Sequence, residues 1–203
     1  MWSYWDKIHL YDLKTGNDTT ITMPEHYYAA HPAIYDNKIV WCLYNESNKI
    51  LLCVYDISTS TSSLITENVS YCVPDIYGDR IVWDGNMYNI STHTQTQIPT
   101  NGSASNFAIY DNKIVWAGHG RNGTATDKNN NSIIRSDIYM YDLSTKKETR
   151  ISTSGRASNP AIYGDRIVWQ DSRNLDFITG MGDIYMYNLS TEKESRISYS
   201  EQS

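Results

Sequence analysis

One eight-residue phrase occurs four times in this sequence of 203 residues, and its recurrence limits the chain to a repeat architecture. Each copy runs from Ile to Trp, as in Ile-Tyr-Gly-Asp-Arg-Ile-Val-Trp, at 34–41, 76–83, 109–116 and 162–169. A second phrase, of the type Met-Tyr-Asn-Leu-Ser-Thr, follows each copy, at 54–59, 87–92, 140–145 and 186–191. A fifth copy of the second phrase, Leu-Tyr-Asp-Leu-Lys-Thr, lies at 10–15.

The spacing of the phrases separates a constant part of the repeat from a variable part. From the Tyr of the second phrase to the Ile of the next first phrase, the step is 23 residues once and 21 residues three times. From the Trp of the first phrase to the following Tyr, the steps are 14, 5, 25 and 18 residues. The variation in length therefore falls in one connection of the repeat.

Each repeat reads as four short strands. In the last copy these are 161–163, 166–169, 183–189 and 194–197, with Gly164-Asp165 as a tight turn between the first two. Ile, Val, Trp and Tyr dominate the runs because branched and aromatic side chains fit a pleated, half-buried surface. No segment has apolar residues at the spacing of an amphipathic helix, so we expect almost no helix.

A four-stranded antiparallel unit of about 40 residues, with middle strands that are apolar on both faces, predicts a β-propeller blade. A stacked β-solenoid is the alternative, but its repeats are shorter and lack four strands each. We predict one all-β propeller domain over 1–203, with about five blades of which the first is incomplete. The predicted ranges are a remnant at 1–22 and blades at about 32–66, 74–98, 107–152 and 160–198.

The repeat resembles a known family. Pro-Ala-Ile-Tyr-Gly-Asp-Arg-Ile-Val-Trp-Gln-Asp-Ser-Arg-Asn at 160–174, Gly-Asp-Ile-Tyr-Met-Tyr-Asn-Leu-Ser-Thr at 182–191 and Arg-Ile-Ser at 196–198 resemble the TolB-type propeller repeat. The likeness is greatest to the version in archaeal cell-surface and surface-layer-type proteins. The bacterial relative usually has Ser-Pro-Asp-Gly at the first turn, where this chain has Tyr-Gly-Asp or Tyr-Asp-Asn, so its envelope role is not implied. The resemblance implies a propeller that serves as a binding or structural module.

The positions of the terminal repeats predict an unfinished first blade. Trp2 lies nine residues before Tyr11 and so aligns with the Trp of the first phrase, which leaves that blade without its first strand. The 21-residue step from Tyr187 places the next first strand beyond Ser203. We expect either a five-bladed ring with one reduced blade or an arc that self-associates through the incomplete first blade, because unpaired strand edges invite pairing.

Charge and hydropathy exclude other classes of protein. The chain has 17 basic and 23 acidic residues, a formal net charge of −6, which argues against a non-specific nucleic-acid binder. No apolar run approaches the roughly 20 residues that cross a bilayer, so we expect no membrane insertion. The first residues lack the basic start and apolar middle of a signal peptide.

One face of the predicted propeller is the candidate binding surface. Because strands alternate in direction, the variable connection and the connection between blades emerge on the same side, where repeat proteins often bind partners. The long excursions 117–136 and 170–182 belong to this side. The candidate binding residues are Trp5, Tyr28, His31, Tyr71, Asn106, His119, Arg121, Arg156, Asn159, Asp171 and Arg173.

Two sequence patterns raise the question of bound ligands. Gly-His-Gly-Arg-Asn-Gly at 118–123 matches a dinucleotide fingerprint, but the required helix does not follow, so we expect no nucleotide. We predict no resident cofactor; Ca²⁺, a cation that takes oxygen ligands, is the one metal that the loops could hold. Its candidate ligands are Asp127, Asp171, Asp176, Asp183 and the Asn run at 129–131.

Acidic residues bear on catalysis. Asp75 begins a first strand where the other copies have Ala, which would place a carboxylate at the channel mouth, but glycoside hydrolysis needs two carboxylates. We therefore expect no enzymatic activity, with a glycan-active hydrolase as the alternative.

Cysteines and glycosylation signals bear on location. The register predicts Cys53 opposite Trp41 and Cys42 on the other face, both as buried free thiols. Eight Asn-x-Ser/Thr sequons exceed chance and favour an exported glycoprotein. The sequence thus predicts a non-catalytic binding or structural propeller of an extracellular, cell-surface protein, with a protein or glycan partner at the loop face.

Overall fold

The repeats form eighteen β-strands in the part of the chain that the structure describes. The computed structural model describes residues 7–47, 49–67, 69–126, 132–174 and 182–198, with the side chains of 121–126 and 132–134 left out. These residues contain no helix, and therefore none that could span a membrane. The strands form one two-stranded and four four-stranded sheets, whose strands are adjacent in chain order.

The sheets follow the predicted repeats. The two-stranded sheet consists of β1 (Lys7–Tyr11) and β2 (Asp18–Thr22). The next contains β3 (Tyr27–Tyr35), β4 (Lys38–Asn45), β5 (Ile50–Asp56) and β6 (Thr61–Thr66). The third contains β7 (Asp75–Tyr77), β8 (Arg80–Trp83), β9 (Asn86–Asn89) and β10 (Thr94–Gln97). The last two contain β11 (Ser103–Tyr110), β12 (Lys113–Thr126), β13 (Ser132–Asp142) and β14 (Lys147–Arg150), then β15 (Ala157–Tyr163), β16 (Arg166–Asp171), β17 (Asp183–Asn188) and β18 (Lys193–Arg196).

This arrangement confirms the predicted fold class, an all-β propeller of about five blades; in the described residues the first sheet has two strands. The chain divides into two compact units, residues 1–78 and 79–203. The first unit contains the β1–β2 sheet, the β3–β6 sheet and β7; the second contains β8 to β18.

Local turn chemistry explains the first phrase. The first residue of each two-residue turn has a positive φ: 51° at Asp36, 59° at Gly78, 51° at Asp111 and 59° at Gly164. Gly and Asp tolerate this left-handed conformation better than branched residues do. The backbone therefore requires a residue that tolerates a positive φ at this position, and each copy of the phrase has Gly or Asp there.

The second phrase is a capped turn. Asp142 Oδ1 accepts hydrogen bonds from the backbone N–H groups of Ser144 and Thr145, at 2.8 and 3.1 Å. Asp12 and Asp56 do the same in their copies, and Asn89 and Asn188 replace them in two others. Such local bonds favour Asp and Asn in turns. The sequons at Asn89 and Asn188 are therefore also copies of this turn.

The core of each unit is built on the Trp of the first phrase. Trp41, Trp83, Trp116 and Trp169 are all at most 2% exposed. In residues 1–78, Trp41 packs with Ile8, Ile21, Met23 and Ile39 between the first two sheets. In residues 79–203, Trp169 packs with Val115, Ile138 and Tyr185 between the last two. Trp41, Trp169 and Tyr185 therefore belong to the packing between sheets.

The longest predicted loop is mostly strand. The excursion 117–136 continues the β12 and β13 ladder, with His119 opposite Ser136 and Thr124 opposite Ile134. A register irregularity between His119 and Thr124 interrupts it. The ladder extends through Thr124, Thr126, Ile133 and Ile134, β-branched residues that favour strands. The neighbouring Gly and Asn residues had suggested a loop instead.

The predicted state of Cys42 is wrong. Cys42 forms a disulfide with Cys72, with the two Cα atoms 5.9 Å apart, within the usual range. The predicted register is confirmed, since Trp41 lies opposite Cys53 and Cys42 opposite Leu52. Cys42 therefore points away from Trp41, toward the segment that leads into β7, and only the fold brings Cys72 there. Cys53 is a buried free thiol as predicted, and burial raises its pKa to about 11.

Candidate functional site

Three equivalent β-bulges position candidate residues. His31, Asn106 and Asn159 have φ values of 52°, 55° and 50°, and each lies where the pairing register shifts within β3, β11 or β15. The sequence predicted that these first strands begin after the three residues. They begin earlier because each bulge absorbs one extra residue and the ladder then resumes. A bulge bends the strand and changes the direction of its side chains, as is common beside functional sites.

In residues 1–78, the bulge of β3 lies beside an open aromatic cavity. The cavity has a volume of about 760 Å³ and is lined by Tyr28, Ala30, His31, Pro32 and Tyr44. Tyr28 and Tyr44 are opposite each other in the ladder and their rings are stacked, with centroids 5.2 Å apart and planes inclined by 9°. Tyr28 is 40% exposed, so the outer part of the pair remains open to solvent.

Tyr44 is the part of this cavity that sequence reasoning missed. Its hydroxyl donates a hydrogen bond of 3.4 Å to the carbonyl oxygen of Cys72, the residue held by the disulfide. Burial raises the pKa of Tyr44, and the nearby Tyr28 and Tyr71 raise it further. Tyr71 therefore lies close to the cavity, although it is absent from the lining set. The signal available in the sequence was the register, which places Tyr44 opposite Tyr28.

In residues 79–203, the bulge asparagines meet across two blades. Asn106 Nδ2 donates to Asn159 Oδ1 at 2.9 Å, and Asn159 Nδ2 donates to Gln170 Oε1 at 3.2 Å. His119 does not join this chain of amides; its Nε2 lies 2.7 Å from Ser105 Oγ on the neighbouring strand. The structure thus brings Asn106 and Asn159 into contact, and His119 lies on the same sheet as Asn106.

Asp171 and Arg173 form a different cluster. Asp171 is fully buried, and its Oδ2 accepts hydrogen bonds from Ser154 Oγ, Trp169 Nε1 and Arg173 Nη2 at 2.7, 3.0 and 2.7 Å. Burial alone would raise the pKa of Asp171, but the bonds from Arg173, Ser154 and Trp169 outweigh it and hold the pKa below its ordinary value. The carboxylate is therefore ionised at neutral pH, and protein groups supply its hydrogen-bond donors.

The two arginine candidates also contact protein groups. Arg173 lies 4.0 Å above the Tyr185 ring and pairs with Glu194 at 2.6 Å. Arg156 Nη1 donates to the Ser172 carbonyl oxygen at 3.4 Å, beside the Asp171 cluster. Trp5 lies outside the described residues, and Arg121 is described only as a backbone position of β12.

A repeated ion pair also escaped the sequence reasoning. Asp137, in the middle of β13, and Asp183, the first residue of β17, are fully buried. They pair with Arg150 and Arg196 at 2.6 and 2.7 Å. The sequence signal was the Asp two residues before the first Tyr of Asp-Ile-Tyr-Met-Tyr, followed by Arg-Ile-Ser in the fourth strand.

Metal and catalytic predictions remain predictions. Asp127, Asp176 and 129–131 lie outside the described residues, whereas Asp171 and Asp183 are ladder partners, each paired with an arginine. Among described residues, no three His, Cys, Asp or Glu side chains are grouped to hold a metal ion. Asp75 begins β7 as predicted and accepts a 2.9 Å hydrogen bond from the Ile76 backbone N–H.

The blade architecture defines the protein as a β-propeller, and comparison with solved structures agrees. No protein-family model matches the sequence, and no curated protein is similar to it in sequence. The fold is similar to TolB from Acinetobacter baumannii, with a TM-score of 0.65 and 15% identity over 97% of this chain and 49% of that one.

Two further structures show the same likeness. The propeller domain of the trilobed protease from Pyrococcus furiosus has a TM-score of 0.63 and 18% identity over 94% of this chain and 61% of that one. An oligogalacturonate lyase in complex with manganese has a TM-score of 0.66 and 14% identity over 95% and 59%. This chain thus spans about half to three fifths of these structures. At such identities the likeness shows a shared TolB-like propeller fold, found in enzymes and other proteins alike.

Proposed function

We propose that this chain is a non-catalytic binding propeller of a cell-surface protein, related to the archaeal surface-layer type, and that its partner is a protein or glycan. The observation that carries the proposal is the open cavity formed by Tyr28, Tyr44 and His31. Its stacked ring pair offers apolar area at low entropic cost, with phenolic hydroxyls for hydrogen bonding. An exposed aromatic cavity beside a strand bulge suits the recognition of either a protein or a glycan.

The disulfide supports an extracellular location. Disulfides persist in oxidising compartments and are rare in the cytosol of mesophiles. The Cys42–Cys72 disulfide also fixes Cys72, whose carbonyl oxygen accepts the hydrogen bond from the Tyr44 hydroxyl. The oxidised form therefore helps to hold Tyr44 in the cavity wall.

A screen of glycan and surface-protein arrays tests the proposal. The wild-type protein should bind a defined class of partner, and Tyr28→Ala should weaken that binding at least about tenfold, as expected for a central aromatic contact. Tyr163→Ala is the matched control, because Tyr163 is 77% exposed and also packs on a second tyrosine, Tyr110. Equal binding by wild type and Tyr28→Ala, or arrays without any partner, would refute a binding role for this cavity.

A further inference from the structure

Five of the eight Asn-x-Ser/Thr sequons have an asparagine whose side chain the structure describes, and these five differ in their surroundings. In the sequons at 17–19 and 101–103, all three residues are exposed. In the other three, the asparagines Asn45, Asn89 and Asn188 are half-buried. The fold therefore exposes two of these sequons fully and three of them only in part.

At Asn188, both functional groups of the sequon form hydrogen bonds within the protein. Asn188 Oδ1 accepts from the backbone N–H of Thr191 at 2.8 Å, and its Nδ2 donates to Asp165 Oδ2 at 3.2 Å. The hydroxyl of Ser190, the third residue of the sequon, donates to the same Asp165 oxygen at 3.1 Å. A modifying enzyme could reach this amide only after the turn opens locally.

The sequons at Asn89 and Asn45 are held in a similar way. Asn89 Oδ1 accepts from the backbone N–H of Thr92 at 2.9 Å, and the Ser91 hydroxyl donates to Asp79 Oδ2. Asn45 Oδ1 accepts two backbone hydrogen bonds within its own loop, at 3.0 and 2.9 Å. Such bonds between side chain and backbone stabilise turns. Both asparagines are therefore structural residues of the turns that contain them.

The side chains of Asn17 and Asn101 make no hydrogen bond to any residue that the structure describes. Asn17 lies directly before β2, and its carbonyl oxygen accepts a 2.9 Å hydrogen bond from the Asp12 backbone N–H. The sequon at 101–103 likewise runs into a strand, since Ser103 is the first residue of β11. Both sequons thus present an exposed amide, with the hydroxyl-bearing residue exposed at the start of a strand.

We propose that Asn17 and Asn101 are N-glycosylation sites of this protein, whereas Asn45, Asn89 and Asn188 stay unmodified in the folded chain. The co-reactants are an oligosaccharyltransferase and an oligosaccharide linked to a lipid phosphate. The asparagine Nδ2 forms a bond to C1 of the first sugar as the C1–O bond to the phosphate breaks. The lipid phosphate leaves, and one amide proton passes to a base of the transferase. The proposal rests on the proposed cell-surface location, because these transferases act on exported chains.

An acceptor assay on the folded protein tests the assignment. The oxidised protein, made in a host without N-glycosylation, is incubated with a purified oligosaccharyltransferase and its donor. Mass spectrometry of the digested product then gives the occupancy of each sequon. Asn17 and Asn101 should be occupied at least about tenfold more than Asn45, Asn89 and Asn188, which accept only after local opening. Lack of modification at Asn17 or Asn101, or equal occupancy of all five, would overturn the proposal.

Tryptic peptides of the same protein, freed of protease, supply the unfolded acceptors for comparison. In these peptides the difference between the two groups of sequons should disappear, because the turn hydrogen bonds are lost. A difference of the same size in the peptides would overturn the proposal, since the fold would then not be its cause.

Two substitutions in the first sequon identify the modified residue. Thr19→Ala removes the hydroxyl of the sequon and should abolish modification of Asn17 while leaving that of Asn101 unchanged. Thr19→Ser is the matched control, because it keeps the hydroxyl and should preserve both modifications. Wild-type occupancy of Asn17 in Thr19→Ala would overturn the assignment. The acceptor assay does not involve partner binding, so its failure is distinguishable from a failure of the array screen.

Discussion

The Asp183–Arg196 ion pair can be tested with a replacement that another blade of this chain already contains. Asp183 is fully buried and lies 2.7 Å from Arg196, whose side chain is 29% exposed. The β3–β6 sheet has Leu51 and Leu64 at the same register positions. The double variant Asp183→Leu/Arg196→Leu therefore introduces into the last sheet the leucines that the β3–β6 sheet has at these positions.

The expected magnitudes follow from the unequal burial of the partners. Arg196→Leu leaves a buried carboxylate without its main counter-charge and should cost about 3–5 kcal/mol of unfolding free energy. Asp183→Leu leaves an arginine that can still reach water, so its cost should be smaller, about 1–3 kcal/mol. The double variant should lie within about 1 kcal/mol of wild type, because an apolar pair of similar volume replaces a buried ion pair at little cost.

Urea unfolding of the wild type, both single variants and the double variant closes a double-mutant cycle. The coupling energy should be of the same order as the cost of Arg196→Leu. Additive single costs would refute the argument that the two charges compensate each other. A larger cost for Asp183→Leu than for Arg196→Leu would refute the assignment of the buried partner.

Three further predictions concern pH, redox state and a turn. Because the folded-state pKa of Asp171 is lowered, its contribution to stability is present above the unfolded pKa of about 3.8 and lost as pH falls through the folded value; Asp171→Asn should flatten the acid limb of a Tm-against-pH curve. Reduction of Cys42–Cys72, which spans 30 residues, should cost about 3–4 kcal/mol, and thiol titration under denaturing conditions should rise from one group to three. Gly164→Asp should be nearly neutral because Asp36 has the same conformation, whereas Gly164→Val should lower stability by about 1–2 kcal/mol in urea unfolding.

Much of the fold was accessible from sequence because it depends on local rules that recur. Four Trp residues mark the buried strand of each blade, and Gly or Asp marks the left-handed turn before it. The constant 21-residue step between phrases corresponds to strands and turns of constant length. The same pattern recurs in each repeat. The four strands, their antiparallel order and the register of Trp41 opposite Cys53 could therefore be predicted.

The candidate site was less accessible because it depends on bulges within the first strands. The bulges at His31, Asn106 and Asn159 insert a single residue that the phrase pattern does not reveal. The stacking of Tyr28 on Tyr44 follows from the extra pairing beyond one of these bulges.

The sequence by itself determined the repeat, the blade and the register of β4 on β5, because each depends on neighbours within one repeat. Only the tertiary structure decided which side chains meet between blades: Cys42 with Cys72, and Asn106 with Asn159. It also decided that leucines surround Trp41 where aspartate accepts from Trp169. The physical reason is that the packing of one sheet on the next sets these contacts, and local propensity carries no information about that packing.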